Sequence, residues 1–162
     1  MYTPKYVTAK ELVYKDLYKL YEKKNQLYKL FYVFNPFVLM TADALRARYG
    51  AITINNWAYG GSMENRGLRK PDTSVGSELS AHKFGAALDC NFKDATAVEI
   101  RQDMEKYGCF EPGFRVNFTK EAECFRYIHR VEMTQGKKPI SWFHFDIFNC
   151  YNADGSIMRL DV

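Results

Sequence analysis

Histidine occurs three times in this 162-residue sequence, at positions 82, 129 and 144. Two of the three stand where imidazoles do chemistry. His82 lies in Ser80-Ala-His82-Lys-Phe-Gly85-Ala-Ala-Leu-Asp89, just after a glycine-rich stretch and in the same run as a carboxylate. His144 lies in Trp142-Phe-His144-Phe-Asp146. Two imidazoles and a carboxylate are the ligand set of a catalytic zinc site, where three protein groups hold the ion and a fourth position stays open to water. Such an ion lowers the pKa of its bound water to about 7 and polarises a scissile carbonyl, while a neighbouring group moves the proton. For either histidine taken singly, the competing expectation is a hydrogen-bonded imidazole without a chemical role. Other chemistries lack their residues: there is no G-x-G-x-x-G, G-x-x-x-x-G-K, G-x-S-x-G or H-E-x-x-H run.

These residues need elements to position them. Thr8-Ala-Lys-Glu11 is a capping-box pattern, and apolar residues recur behind it at helical spacing: Leu17, Leu20, Tyr21, Leu27, Tyr28 and Phe31. The pattern predicts a helix from about 9 to 23, running on to about 32. Lys15, Lys19 and Lys23 fall one turn apart and read as a solvated face with tyrosines packing inward, rather than a grip on nucleic acid. Asn35-Pro36 supplies the N-cap and first-turn proline of a second helix, which Gly50 closes. A short strand over Ala51–Ile54 precedes an irregular stretch, 55–79, whose length marks a substrate-facing wall. Arg66, Arg69 and Lys70 are its cations.

Ala86–Phe92 reads as a strand of small residues, leaving space beside Asp89. Asp94 is expected to cap a helix through Val98, Ile100, Met104 and Tyr107, closed by Gly108. Phe125–Met133 fits helix or strand. Ile140–Phe148 alternates, with Phe143, Phe145 and Ile147 on one face and Trp142, His144, Asp146 and Phe148 on the other. Gly136 between the last two segments suggests a hairpin.

The composition, 47% hydrophobic and 26% charged, is that of a globular chain and excludes a disordered one. Its length suits one domain, 1–162, with a helical part over about 1–50 and the zinc-site core over about 51–150. The net charge of +4 favours anionic partners only weakly, which leaves nucleic acid disfavoured. Cys90, Cys109, Cys124 and Cys150 have no C-x-x-C spacing and are expected as free, mostly buried thiols of a reducing compartment. Charges at Lys5, Lys10, Glu11, Lys15, Asp16 and Lys19 break any signal-peptide core, and the longest uncharged stretch nearby, Leu30–Ala42, is too short to span a membrane. The expectation is a chain made in a bacterial cytoplasm.

Taken together, S-x-H-x-x-G-x-A-x-D and, further on, W-x-H-x-[HD] resemble the motifs of the M15 zinc peptidases. Ser80, His82, Gly85, Ala87 and Asp89 match the first motif, and Trp142, His144 and Asp146 the second. Leu45-Arg46, Tyr49-Gly50 and Ile52-Thr-Ile54 also follow the family's order, so the resemblance covers roughly 35–150. It implies an α+β fold of the M15/hedgehog-like type, a small antiparallel sheet flanked by helices. It implies zinc held by His82, Asp89 and His144, with Ser80 and Asp146 beside the substrate. The implied activity is hydrolysis of peptidoglycan stem peptides by a phage-type lytic or virion-associated enzyme, acting on the cell wall after release or carried in a particle.

Two departures bear on that expectation. Asn55-Asn56-Trp57-Ala58-Tyr59-Gly60 lacks the arginine with which the family holds a substrate carboxylate, so Arg66 or Arg69 must reach in from farther along the loop. Ser141 occupies the usual general-base position, three residues before the last zinc histidine, and cannot act as a base at neutral pH. An even-sum hairpin register, with Glu132 opposite Trp142 and Arg130 opposite His144, puts Glu132 on the metal's face as the replacement base. A one-residue slip offers His129 instead. The alternative function is a catalytically impaired M15-like fold serving as a virion structural or cell-wall-binding protein.

Overall fold

The computed structural model describes residues 2–148 and 152–161. Four helices precede or flank the sheet: α1 (Ala9–Leu12), α2 (Lys15–Lys23), α3 (Pro36–Tyr49) and α4 (Ala97–Lys106), with a one-turn helix α5 (Phe114–Asn117). Thr8 and Glu11 form the expected capping box, yet the predicted long helix breaks at Val13, which is extended. The chain restarts as α2 and ends in a 3-10 segment over Leu27–Val33. On α2, Lys15, Lys19 and Lys23 are exposed while Tyr14, Tyr18 and Tyr21 are partly buried against the core. Asn35 caps α3 by accepting from the Phe37 amide, and Gly50 closes it. Asp94 does not cap α4; Thr96 does, in a capping box with Glu99. The reason is local, since a threonine followed three residues later by glutamate satisfies two orphan amides at once.

The strands are β1 (Ile52–Thr53), β2 (Ala87–Phe92), β3 (Arg130–Gln135), β4 (Lys138–Pro139), β5 (Phe143–Asp146) and β6 (Met158–Asp161). They form one mixed sheet in the order β1-β2-β5-β3-β4, antiparallel throughout, with β6 added parallel to β3. The α+β class is therefore as expected, apart from that parallel edge. Phe125–Met133 resolves into the end of a 3-10 segment, Lys120–Phe125, and the start of β3. The alternating segment Ile140–Phe148 contributes only its middle, β5, which is buried on both faces.

The hairpin register departs from expectation by two residues. Arg130 pairs with Asp146 and Val131 with Phe145, so Glu132 comes level with His144 rather than Trp142. A buried arginine on α4 holds this arrangement. Arg101 donates to the carbonyls of Glu132, Ile140 and Trp142 at 2.8–3.1 Å, tying both ends of the hairpin to the helix. Sequence periodicity puts Val98 on that inner face; the structure leaves Val98 exposed and buries Arg101.

Leu88, Cys90, Phe143, Phe145 and Val131 fill the core side of the sheet, against Leu39, Ala42 and Leu45 of α3. Cys90, Cys109 and Cys124 are buried free thiols, and Cys150 lies outside the described residues. No helix among the described residues is long and apolar enough to cross a membrane.

Candidate metal centre

The other face of the sheet is polar, and its register builds the site. Asp89 on β2 lies directly opposite His144 on β5, and Ala87 opposite Asp146. Arg130 and Glu132 continue these two rows onto β3. Alternation along each strand sends Asp89, His144 and Glu132 to one side and the phenylalanines to the other. Ala87 is the small residue that leaves the face open beside Asp146.

His82 reaches this face from above, on a 3-10 turn over Ala81–Phe84. Gly85 ends the turn with a φ of +63°, and a Cβ there would collide with the carbonyl of Val33. That explains the glycine of the motif physically: the turn must reverse in the left-handed region while pressed against another backbone. Nδ1 of His82 donates to the Gly67 carbonyl at 2.9 Å, which fixes the tautomer and leaves the Nε2 lone pair facing the sheet.

Gly67 is itself braced from the N-terminal helices. The helix break at Val13 releases carbonyls that a continuous helix would use. The Glu11 carbonyl accepts from the Asn55 amide, that of Leu12 from the Leu68 amide, and that of Val13 from the Trp57 indole. A Cβ at Gly67 would meet the Leu12 carbonyl, so only glycine permits this approach.

Three atoms converge. His82 Nε2 and His144 Nδ1 are 3.3 Å apart, and Asp89 Oδ1 lies 3.4 Å from the first and 2.7 Å from the second. Ligand atoms about 2.0–2.2 Å from a tetrahedral zinc lie about 3.3–3.5 Å from one another. Two of the three edges already have that length, and the third is the hydrogen bond an ion would replace. All three residues are buried, and together they are the one group of three metal-type ligands among the described residues. The residues fit a metal.

The surroundings supply partners for each ligand. Arg69 Nη2 bonds the outer oxygen of Asp89 at 3.0 Å and Arg69 Nε bonds the Asn65 carbonyl. Nε2 of His144 faces Asp146 at 3.5 Å and Glu132 at 3.9 Å. Asp146 is gripped by Arg130 through both oxygens at 2.9 Å. Burial opposes charge on Asp89, but hydrogen bonds from His144 and His82 outweigh it and hold the carboxyl well below the usual carboxylate range. Burial also opposes a proton on His144, yet Asp146 and Asp89 push its pKa up to about 9. Burial draws His82 down instead.

A cavity of about 390 Å³ opens above these groups, walled by Arg69, Ser80, His82, Arg130, Glu132, His144 and Asp146. The structure thus brings Ser80, Arg69, Asp146 and Glu132 to the trio. It does not bring Arg66, which bonds Asn91 and lies over the Trp142 ring. His129 also lies outside the cavity wall, one residue before β3, with its amide on the Asp146 carbonyl and its own carbonyl accepting from Met158. Arg101 and Gly67 were not legible as site residues. The expected hairpin register sets Arg130 on the metal's face, opposite His144, but gives it no role in the site.

Comparison of the chain with protein-family profiles, with curated proteins and with solved structures finds no match.

Proposed function

We propose that this chain is a zinc-dependent peptidase of peptidoglycan stem peptides on an M15-like fold, of the phage-type lytic or virion-associated kind. The observation that carries the reading is the convergence of His82 Nε2, His144 Nδ1 and Asp89 Oδ1 beneath a cavity that also holds a carboxylate, Glu132. The stem-peptide substrate rests on the Ser80–Asp89 and Trp142–Asp146 motifs. His82, Asp89 and His144 would hold the ion, which supplies a Lewis acid that polarises a carbonyl and acidifies water.

The remaining work falls to the chain's own groups. Of the two carboxylates on the cavity wall, Asp146 is committed to Arg130, whereas that of Glu132 lies 3.9 Å from His144 Nε2, is bonded to no arginine or lysine among the described residues and is partly exposed. Glu132 is therefore the proton acceptor for attacking water and the donor to the leaving amine. Asp146 receives the Nε2 proton of His144 and fixes the ring so that Nδ1 faces the trio. Arg69 neutralises the outer oxygen of Asp89.

Metal analysis of the purified protein, with incubation on purified peptidoglycan in the presence and absence of chelator, tests the reading. Stoichiometric zinc and chelator-sensitive release of peptide fragments are expected. Zinc retained with peptidoglycan bound but uncut would transfer the proposal to a virion structural or cell-wall-binding role.

A further inference from the structure

The charge of the chain is unevenly placed. Residues 1–34 carry seven lysines and three carboxylates, so the whole net charge of +4 lies there, while the other 128 residues balance sixteen cations against sixteen carboxylates. The lysine stripe of α2 is a solvated face, but a different set of residues from this segment lines a groove. It holds about 500 Å³ between residues 4–10 and the 3-10 segment Leu27–Val33, with Lys5, Tyr6, Lys10, Tyr18, Tyr28 and Phe31 on its walls. Phe31 also borders a second groove, about 240 Å³, with Tyr2, Tyr32 and Phe34. Tyr28 and Tyr32 are 53% and 55% exposed and meet edge to face, their centroids 6.1 Å apart.

Among the described residues no carboxylate lines either groove. Two acidic side chains close by are spent on the protein itself. Asp43 accepts from the Tyr2 hydroxyl and from the Lys5 and Tyr6 amides, and Glu11 accepts from the Thr8 amide and hydroxyl. The Lys5 ammonium rests over the Tyr6 ring at 4.9 Å and that of Lys10 over the Tyr59 ring at 4.8 Å. Such a surface complements an anionic partner with flat apolar faces. A single-stranded nucleic acid brings one phosphate for every base, whereas here seven aromatic rings are matched by two lysines. Peptidoglycan fits that ratio, since its sugar rings present C–H faces and its carboxylates sit on stem peptides attached to alternate sugars. The position agrees as well. Tyr59 belongs to the stretch 55–79, whose later residues Arg69, Gly76, Ser77 and Leu79 wall the metal cavity, so one stretch borders both.

We infer, resting on the peptidase reading above, that the two N-terminal grooves form a docking surface for the glycan strand of peptidoglycan, apart from the metal cavity. Tyr28, Phe31 and Tyr32 pack against sugar faces, and Lys5 and Lys10 pair with stem-peptide carboxylates. Holding the strand raises the effective concentration of its stem peptides at the cavity without a new contact there.

Zinc-loaded protein is compared with two double variants, Tyr28→Ser with Tyr32→Ser and Lys5→Gln with Lys10→Gln. The readouts are co-sedimentation with purified peptidoglycan, turnover of that peptidoglycan, and turnover of a soluble stem pentapeptide. The tyrosine variant should sediment about tenfold more weakly and show a KM on peptidoglycan raised by a similar factor, at unchanged kcat and zinc content. The lysine variant should sediment more weakly at low salt, with its difference from wild type fading at about 1 M salt. On the soluble peptide both variants should stay within about twofold of wild type. Unchanged sedimentation of the tyrosine variant, or an equal loss on the soluble peptide, overturns the docking surface. Tighter retention of a single-stranded oligonucleotide than of peptidoglycan, lost in the same variants, overturns it in favour of a nucleic-acid partner. If the wild-type chain cuts neither substrate the peptidase reading fails, and sedimentation, which needs no turnover, still decides the surface.

Discussion

Two of the molecule's cavities are similar in size and are built in opposite ways. One, about 450 Å³, lies between α3 and the 3-10 segment at Lys120–Phe125, over Met40, Ala44, Ala47 and Tyr127. Its charges are dispersed: Arg48 is spent on Asp103, the Tyr107 hydroxyl and the Glu121 carbonyl, and Arg126 lies over the Phe118 and Tyr127 rings. Its one buried unpartnered polar atom is the Thr41 hydroxyl. The other, about 390 Å³, has a floor where three ligand atoms meet, each anchored by a further hydrogen bond or ion pair. Volume does not separate the two. Convergence does, because chemistry needs groups aimed at one point by partners that prevent them from turning away.

The contrast predicts a graded set of effects. The largest belongs to the trio. His144→Ala should abolish stoichiometric zinc binding, measured by metal analysis after dialysis, since two ligands cannot hold a structural or catalytic zinc against buffer. Undiminished metal content would remove His144 from the site. Glu132→Gln comes next. The zinc should remain, while kcat for stem-peptide hydrolysis falls by about 100-fold or more, the usual weight of a positioned general base. Retention of wild-type kcat would pass the proton-transfer role to another group.

Arg69→Ala acts one step removed. It leaves the buried Asp89 carboxylate without its cation, so zinc affinity should fall by about 10- to 100-fold in a competitive chelator titration. The fold should also lose roughly 3 kcal/mol in urea denaturation, at the low end for breaking a buried pair. The smallest effect lies in the other cavity. Thr41→Val replaces an unpartnered buried hydroxyl with a methyl of the same shape, and stability should be unchanged or rise by about 1 kcal/mol with activity untouched. A change in zinc affinity there would show that the two cavities are coupled.

Much of the site is written locally. The glycine after His82 marks a turn that must enter the left-handed region, the small residues of β2 mark open space beside Asp89, and alternation in Trp142–Phe148 puts His144 and Asp146 on one face. Caps and turns involve residues three or four apart, so Asn35-Pro36 and Gly50 bound α3 without help from the rest of the chain. That Asp89 and His144 share a site was implied only by the family resemblance of their two motifs; that their strands lie side by side is a finding of the structure.

Other features depended on partners far away in sequence. The two-residue difference in hairpin register preserves the alternation and so leaves no trace in the periodicity. It is set by Arg101 reaching three carbonyls from α4. The break at Val13 contradicts a good helical pattern, because the carbonyls of Glu11, Leu12 and Val13 are taken by Asn55, Leu68 and Trp57. Arg66 and Arg69 are equivalent in type and nearly in position, yet of the two guanidinium groups only that of Arg69 meets the Asp89 carboxylate, since that of Arg66 is held by Asn91 and Trp142. Sequence by itself thus determined which residue types stand ready and which face each strand presents, since those follow from backbone period and local hydrogen bonding. Tertiary structure alone decided register, helix break and choice of arginine, since each is settled by hydrogen bonds and ion pairs between segments that only folding brings together.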